Sequence, residues 1–165
     1  MRKTLVVTFA LCMVTGLFAQ STGGGAPLQT ATVTLSSAQI KSLASAPVQL
    51  VPAPGAGNTI IVTNLVSTLS FGTVAYIDAG AVSLSLRYGV GPSTVGTGCS
   101  ALYNVITGST SQTGVDVPNP VINPNPSPVT NVQNMALMLV NTGANDFSAG
   151  DGTVTLTISY QVVNQ

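Results

Sequence analysis

The last dozen residues of the chain constrain its fold more than any other stretch. Val154, Leu156, Ile158, Tyr160 and Val162 alternate with Thr153, Thr155, Thr157, Ser159 and Gln161. Successive side chains of an extended strand point to opposite faces, so this period of two predicts a long strand with one apolar and one hydroxyl-bearing face. A strand of that kind needs an apolar partner layer. Val82, Leu84, Leu86 and Tyr88, alternating with Ser83, Ser85 and Arg87, repeat the pattern. Val33 and Leu35 repeat it again opposite Thr32 and Thr34.

Other segments read as strands of different burial. Thr59 to Leu69 opens with Ile60, Ile61 and Val62, apolar on both faces, and softens at Asn64, Ser67 and Thr68, as expected of a central strand leaving the core. Met135 to Val140 is continuously apolar and predicts a strand covered on both sides. Val48 to Val51 is a short strand ahead of the PAPGAG turn at Pro52 to Gly57. One helix is expected. Ser36 followed by Gln39 fits a capping box, and Ile40, Leu43 and Ala44 form one apolar stripe that Pro47 ends. Ala101 to Ile106 fits a strand or a helical turn equally well. The sum is an all-β chain: a single β-sandwich over residues 31–165 with one short N-terminal helix, for which jelly-roll connectivity is one option.

The first 19 residues differ. Arg2 and Lys3 precede an apolar run from Leu5 to Phe18, and Ala19 then meets Gln20. This is the pattern of a secretory signal peptide cleaved after Ala19. Its alternative is a hydrophobic arm that stays attached and packs into a partner. The run is short for a membrane span, which needs about 20 apolar residues, so no stable span is expected. Residues 20–30 begin with QSTGGGAP, a flexible Gly/Ser leader.

The side-chain inventory excludes much chemistry. The chain of 165 residues has no His, no Glu and no Trp, and its only carboxylate side chains are Asp78, Asp116, Asp146 and Asp151. A histidine-based triad or metal site cannot be built, and no cofactor is implied. Beyond the leader the cations are Lys41 and Arg87 alone. Two cations cannot neutralise a run of phosphates, so nucleic acid is not an expected partner. A surface of Ser, Thr, Asn and Gln with so few charges offers little repulsion between copies, which favours self-association.

Candidate sites are sparse. Asp146 and Asp151, in the loop NDFSAGDG, supply hard oxygen donors for a weak calcium site, although turn formation and capping of their own backbone is the stronger reading. Tyr76-Ile77-Asp78 reads as a loop tip with a packed aromatic. The hydroxyls of Thr153, Thr155 and Thr157 form a regular polar row, read as an ordinary solvent face. Cys99, in a Gly/Ser/Thr loop, is the one thiol left after cleavage and a candidate inter-subunit link, with a buried idle thiol as its alternative. Pro118, Pro120, Pro124, Pro126 and Pro128 remove backbone donors over VPNPVINPNPSPV. They define an extended strap able to wrap a neighbouring subunit.

Five segments taken in order carry a family resemblance: TVTLSSAQIKSL, APVQLVPAPGAGNTIIV, FGTVAY, LSLRYG and NMALMLVNTGANDFSAGDGTVTLTISYQVV. Together they span most of Ala31 to Val163 and resemble small virion-associated structural proteins of tailed bacteriophages. The resemblance implies a β-sandwich that assembles with itself or with a phage shell or tail protein, as a decoration or adaptor subunit located in the virion. The signal-like leader and the proline strap depart from that pattern. The leader points instead to export, and to an alternative function as a secreted binding module or adhesin for a glycan or host surface.

Overall fold

The computed structural model describes residues 26–89, 99–117 and 132–164. Nine strands and two short helices follow in the order β1 (Leu28–Leu35), α1 (Ser37–Ile40), β2 (Val48–Val51), β3 (Asn58–Ser70), β4 (Tyr76–Asp78), β5 (Leu84–Tyr88), α2 (Ser100–Ile106), β6 (Gln112–Asp116), β7 (Leu137–Asn141), β8 (Phe147–Ala149) and β9 (Thr153–Asn164). They build three antiparallel sheets, ordered β1-β9-β3-β6, β2-β7-β5 and β4-β8.

The C-terminal alternation works as its chemistry requires. Val154, Leu156 and Ile158 are fully buried, and β9 occupies the interior of the four-stranded sheet between β1 and β3. Leu35 of β1 and Ile60, Leu65 and Leu69 of β3 join them on the inner face. From the second sheet come Leu50 and Val51 of β2, Leu84, Leu86 and Tyr88 of β5, and Leu137 and Leu139 of β7, all in one buried cluster with the first set. Every residue of β7 is buried, as its unbroken apolar run predicts. The start of β3 departs from expectation. Ile61 is 37% exposed beside a fully buried Ile60, so this strand is covered on one face only. A bulge between Val62 and Asn64 then resets its pairing to β9.

Helix α1 begins as its sequence predicts. The Ser36 hydroxyl accepts from the Gln39 amide at 3.4 Å, and the Gln39 side-chain carbonyl accepts from the Ser36 amide at 3.0 Å. Ile40 and Leu43 carry it into the core. It is not the sole helix. Ser100–Ile106 resolves its ambiguity as α2, whose Leu102, Val105 and Ile106 recur at helical spacing and are buried. The expected single β-sandwich with one helix is therefore, among the described residues, a mostly β fold with three sheets and two helices. Strands β4, β6 and β8 are short and lie outside the segments that the sequence marks as strands. Tyr76 does pack, at 4% exposed, but it lies in a strand paired to β8 and not at a loop tip.

Candidate functional site

The four carboxylates, the only acids in the chain, each hold backbone or hydroxyl donors. Asp116, at the end of β6, accepts from the amides of Ala101 and Leu102, both at 2.9 Å. It therefore caps α2 from another element, which matters because Cys99 at the N-cap position makes no side-chain capping bond. Asp151 accepts from the amides of Thr73 and Val74 at 2.8 and 2.9 Å and from the Thr73 hydroxyl at 2.6 Å. These bonds fasten the turn after β3 and hold the Asp151 carboxyl below its ordinary pKa, with the Thr73 hydroxyl as the largest cause. Asp146 accepts from the Ala44 amide at 2.8 Å and from the Asn141 side-chain amide at 3.1 Å. Asp78 takes the Tyr103 hydroxyl at 2.8 Å and the Gly80 amide at 2.7 Å, which lowers its pKa, while the same bond raises that of Tyr103.

Asp146 and Asp151, paired above as weak calcium donors, thus serve two different turns. Among the described residues no three acidic or thiol side chains gather into a metal-holding group. Of the two sequence readings of Cys99, the structure places it as the buried thiol. It is 3% exposed at the start of α2, with its amide bonded to the Leu84 carbonyl at 2.9 Å. Burial, with the Asp116 charge adding to it, pushes the thiol up to about 12, so it is neither accessible for a link nor ionised at neutral pH. A shallow depression of about 270 Å³ lies beside it between β5 and α2, lined by Ser83, Leu84, Ser100, Tyr103 and Asn104 among others, none of them charged. Residues 1–25, with the signal-like segment, lie outside the described residues, as do Pro118, Pro120, Pro124, Pro126 and Pro128.

The structure instead gathers an uncharged, hydroxyl-rich face that no short motif announces. On the outer side of the four-stranded sheet, Thr34 lies opposite Thr155, Thr155 opposite Thr68, and Thr68 opposite Thr113, one row across four strands. The Thr34 and Thr155 hydroxyls are 3.1 Å apart, as are those of Thr68 and Thr113. The next row runs Thr32, Thr157, Val66, Val115, with Val115 54% exposed. Thr30 faces Ser159 beyond it. At the margins Leu28 is 63% and Val117 74% exposed. The row on β9 was legible in sequence; its extension over β1, β3 and β6 depends on register, which alternation alone does not fix.

No protein-family model and no curated protein matches the chain. Among solved structures it is similar to a chain of the Cyanophage Pam1 capsid asymmetric unit, at 14% identity over 88% of this chain and 91% of that one, with a TM-score of 0.43.

Proposed function

We propose that this chain is a non-enzymatic structural subunit of a phage particle or a related surface assembly, docking on copies of itself or on a shell or tail protein. Its two larger sheets then act as the layers of a sandwich whose outer face is the contact surface. The observation that carries this reading is the four-strand hydroxyl face, free of charge and rimmed by exposed Leu28, Val115 and Val117. Such a surface loses little on desolvation when its hydroxyls find partners and meets no like charge on a second copy. The use of all four carboxylates as backbone clamps supports a non-catalytic role. The segments that resemble tailed-phage virion proteins give the assembly its kind.

The proline strap and the N-terminal segment remain candidate arms in this reading, and the virion its location. Sedimentation velocity of the full chain across a wide concentration range tests it. The expected result is a mass rising above that of the 16.6 kDa monomer. A strict monomer that also fails to co-sediment with particles refutes it. A chain beginning at Gln20, recovered only from the medium and binding a glycan, supports the exported module instead.

A further inference from the structure

Each sheet of the fold ends in edges, and a sheet edge presents unpaired N–H and C=O groups that template another strand unless something guards it. Three of the four edges of the two larger sheets are guarded. Edge strand β2 is interrupted by an irregularity between Gln49 and Val51 and lies between Pro47 and Pro52. Edge strand β5 is five residues long and carries Arg87 as its fourth, so a second copy would bring a like charge against it. Edge strand β6 is five residues long, holds Gly114, and ends at Asp116.

The fourth edge, β1, has a proline, Pro27, just ahead of its first residue but none of the other devices. It runs eight residues, LQTATVTL, without charge, proline or glycine, and its register with β9 is unbroken from Leu28 to Leu35. Among the described strands it is hydrogen-bonded to β9 alone. Among the described residues no strand pairs with its other side, which at about 3.4 Å per residue is a ladder of roughly 27 Å.

We propose that β1 pairs antiparallel with β1 of a second copy, joining two four-stranded sheets into one of eight strands across a two-fold axis. The inference rests on the assembly reading and adds to its face a second contact, the sheet edge beside it. The strand is self-complementary in a way that its register can be written down. Thr30, Thr32 and Thr34 share the outer face, whereas Ala31 and Val33 pack against the core. Opposed residues of an antiparallel pair share a face, so only registers in which the two residue numbers sum to an even value are allowed. Centred on Thr32, the pairing sets Thr32 against Thr32, Thr30 against Thr34 and Ala31 against Val33. It thus continues, across the axis, the threonine pairing that Thr34 and Thr155 already make at 3.1 Å. An isologous contact of this kind closes at the dimer. The proline strap is a poor competitor for the same edge, because its prolines lack ladder donors.

Cysteine scanning tests this in the full chain carrying Cys12→Ser, with Cys99 left in place because it is buried. Thr30, Ala31, Thr32, Val33 and Thr34 are changed singly to Cys, and Thr113→Cys on β6 is the control. At the residue on the two-fold axis the Cα atoms lie about 4.5–5.5 Å apart, within disulfide reach. Two positions away, the copies are offset by four residues, roughly 13 Å, and out of reach. The expected result is a disulfide dimer peaking sharply at one position, Thr32, and absent at Thr113. Thr32→Lys, which places a guard on the exposed face, is expected to abolish the dimer while leaving the melting temperature of the monomer unchanged. Self-association that persists in Thr32→Lys, with no cross-link anywhere from 30 to 34, overturns the β1 contact and leaves the assembly reading standing. A strict monomer that is also absent from particles overturns both.

Discussion

Replacing Asp116 by Ala removes the carboxylate that caps α2 and leaves the amides of Ala101 and Leu102 without their acceptor. Both bonds are 2.9 Å long and partly shielded, and Cys99 offers no side-chain substitute. Loss of a capping side chain costs about 0.5–2 kcal/mol. Hydrogen bonds to a charged group are each worth about 1.5–3 kcal/mol, discounted here because water can reach donors at a half-exposed helix end. The loss expected for Asp116→Ala is therefore about 2 kcal/mol, and about half of that for Asp116→Asn, which retains one acceptor oxygen. For a chain of this size it lowers the melting temperature by roughly 6 °C. Urea unfolding at pH 7, followed by circular dichroism, reads both variants against the parent. The reasoning fails if Asp116→Ala matches the parent, or if Asn is as damaging as Ala.

Four further outcomes are expected. Gly150 has a φ of 78°, and a Cβ there would meet the Tyr76 ring at 2.2 Å, so Gly150→Ala is expected to destabilise by at least about 2 kcal/mol, measured by thermal melt. Asp78 and Asp151 have pKa values lowered by folding, so their stabilisation is present above the ordinary carboxylate range and lost as pH falls through the lower folded values. Tyr88 behaves in the opposite sense. Burial raises it from 10.0 to about 12, so stability falls as pH climbs from 10 to 12, and Tyr88→Phe flattens that limb in a pH series of melts. Cys99 is expected to resist a thiol reagent in the native chain and to react fully in denaturant, whereas fast native labelling would contradict its burial.

The elements legible in sequence are those whose signal is local. The Ser36–Gln39 box needs only four residues, and the alternation of β9 follows from the period of a strand. The apolar run of β7 likewise reports its burial directly. Helix α2 was ambiguous because its decisive stabiliser, Asp116, lies on β6 and reaches it only through the tertiary fold. Strand β6 itself was hidden, since Gln112, Thr113, Gly114 and Asp116 carry no apolar alternation and it forms by pairing with Leu65 to Leu69 of β3. The sequence leaves Cys99 open between an inter-subunit link and a buried thiol, because a single position in a polar segment carries no periodicity to reveal the core beneath it. The hydroxyl face was visible one strand at a time. Its area becomes apparent only when β1, β9, β3 and β6 are laid side by side in register.

The most direct test of the structural-subunit reading is the copy number of this chain in gradient-purified particles, determined by quantitative mass spectrometry with the N-terminal peptide identified. The account predicts a fixed, multi-copy stoichiometry relative to the main shell protein. Absence from the particles, with the chain recovered as a monomer in the medium, would contradict it.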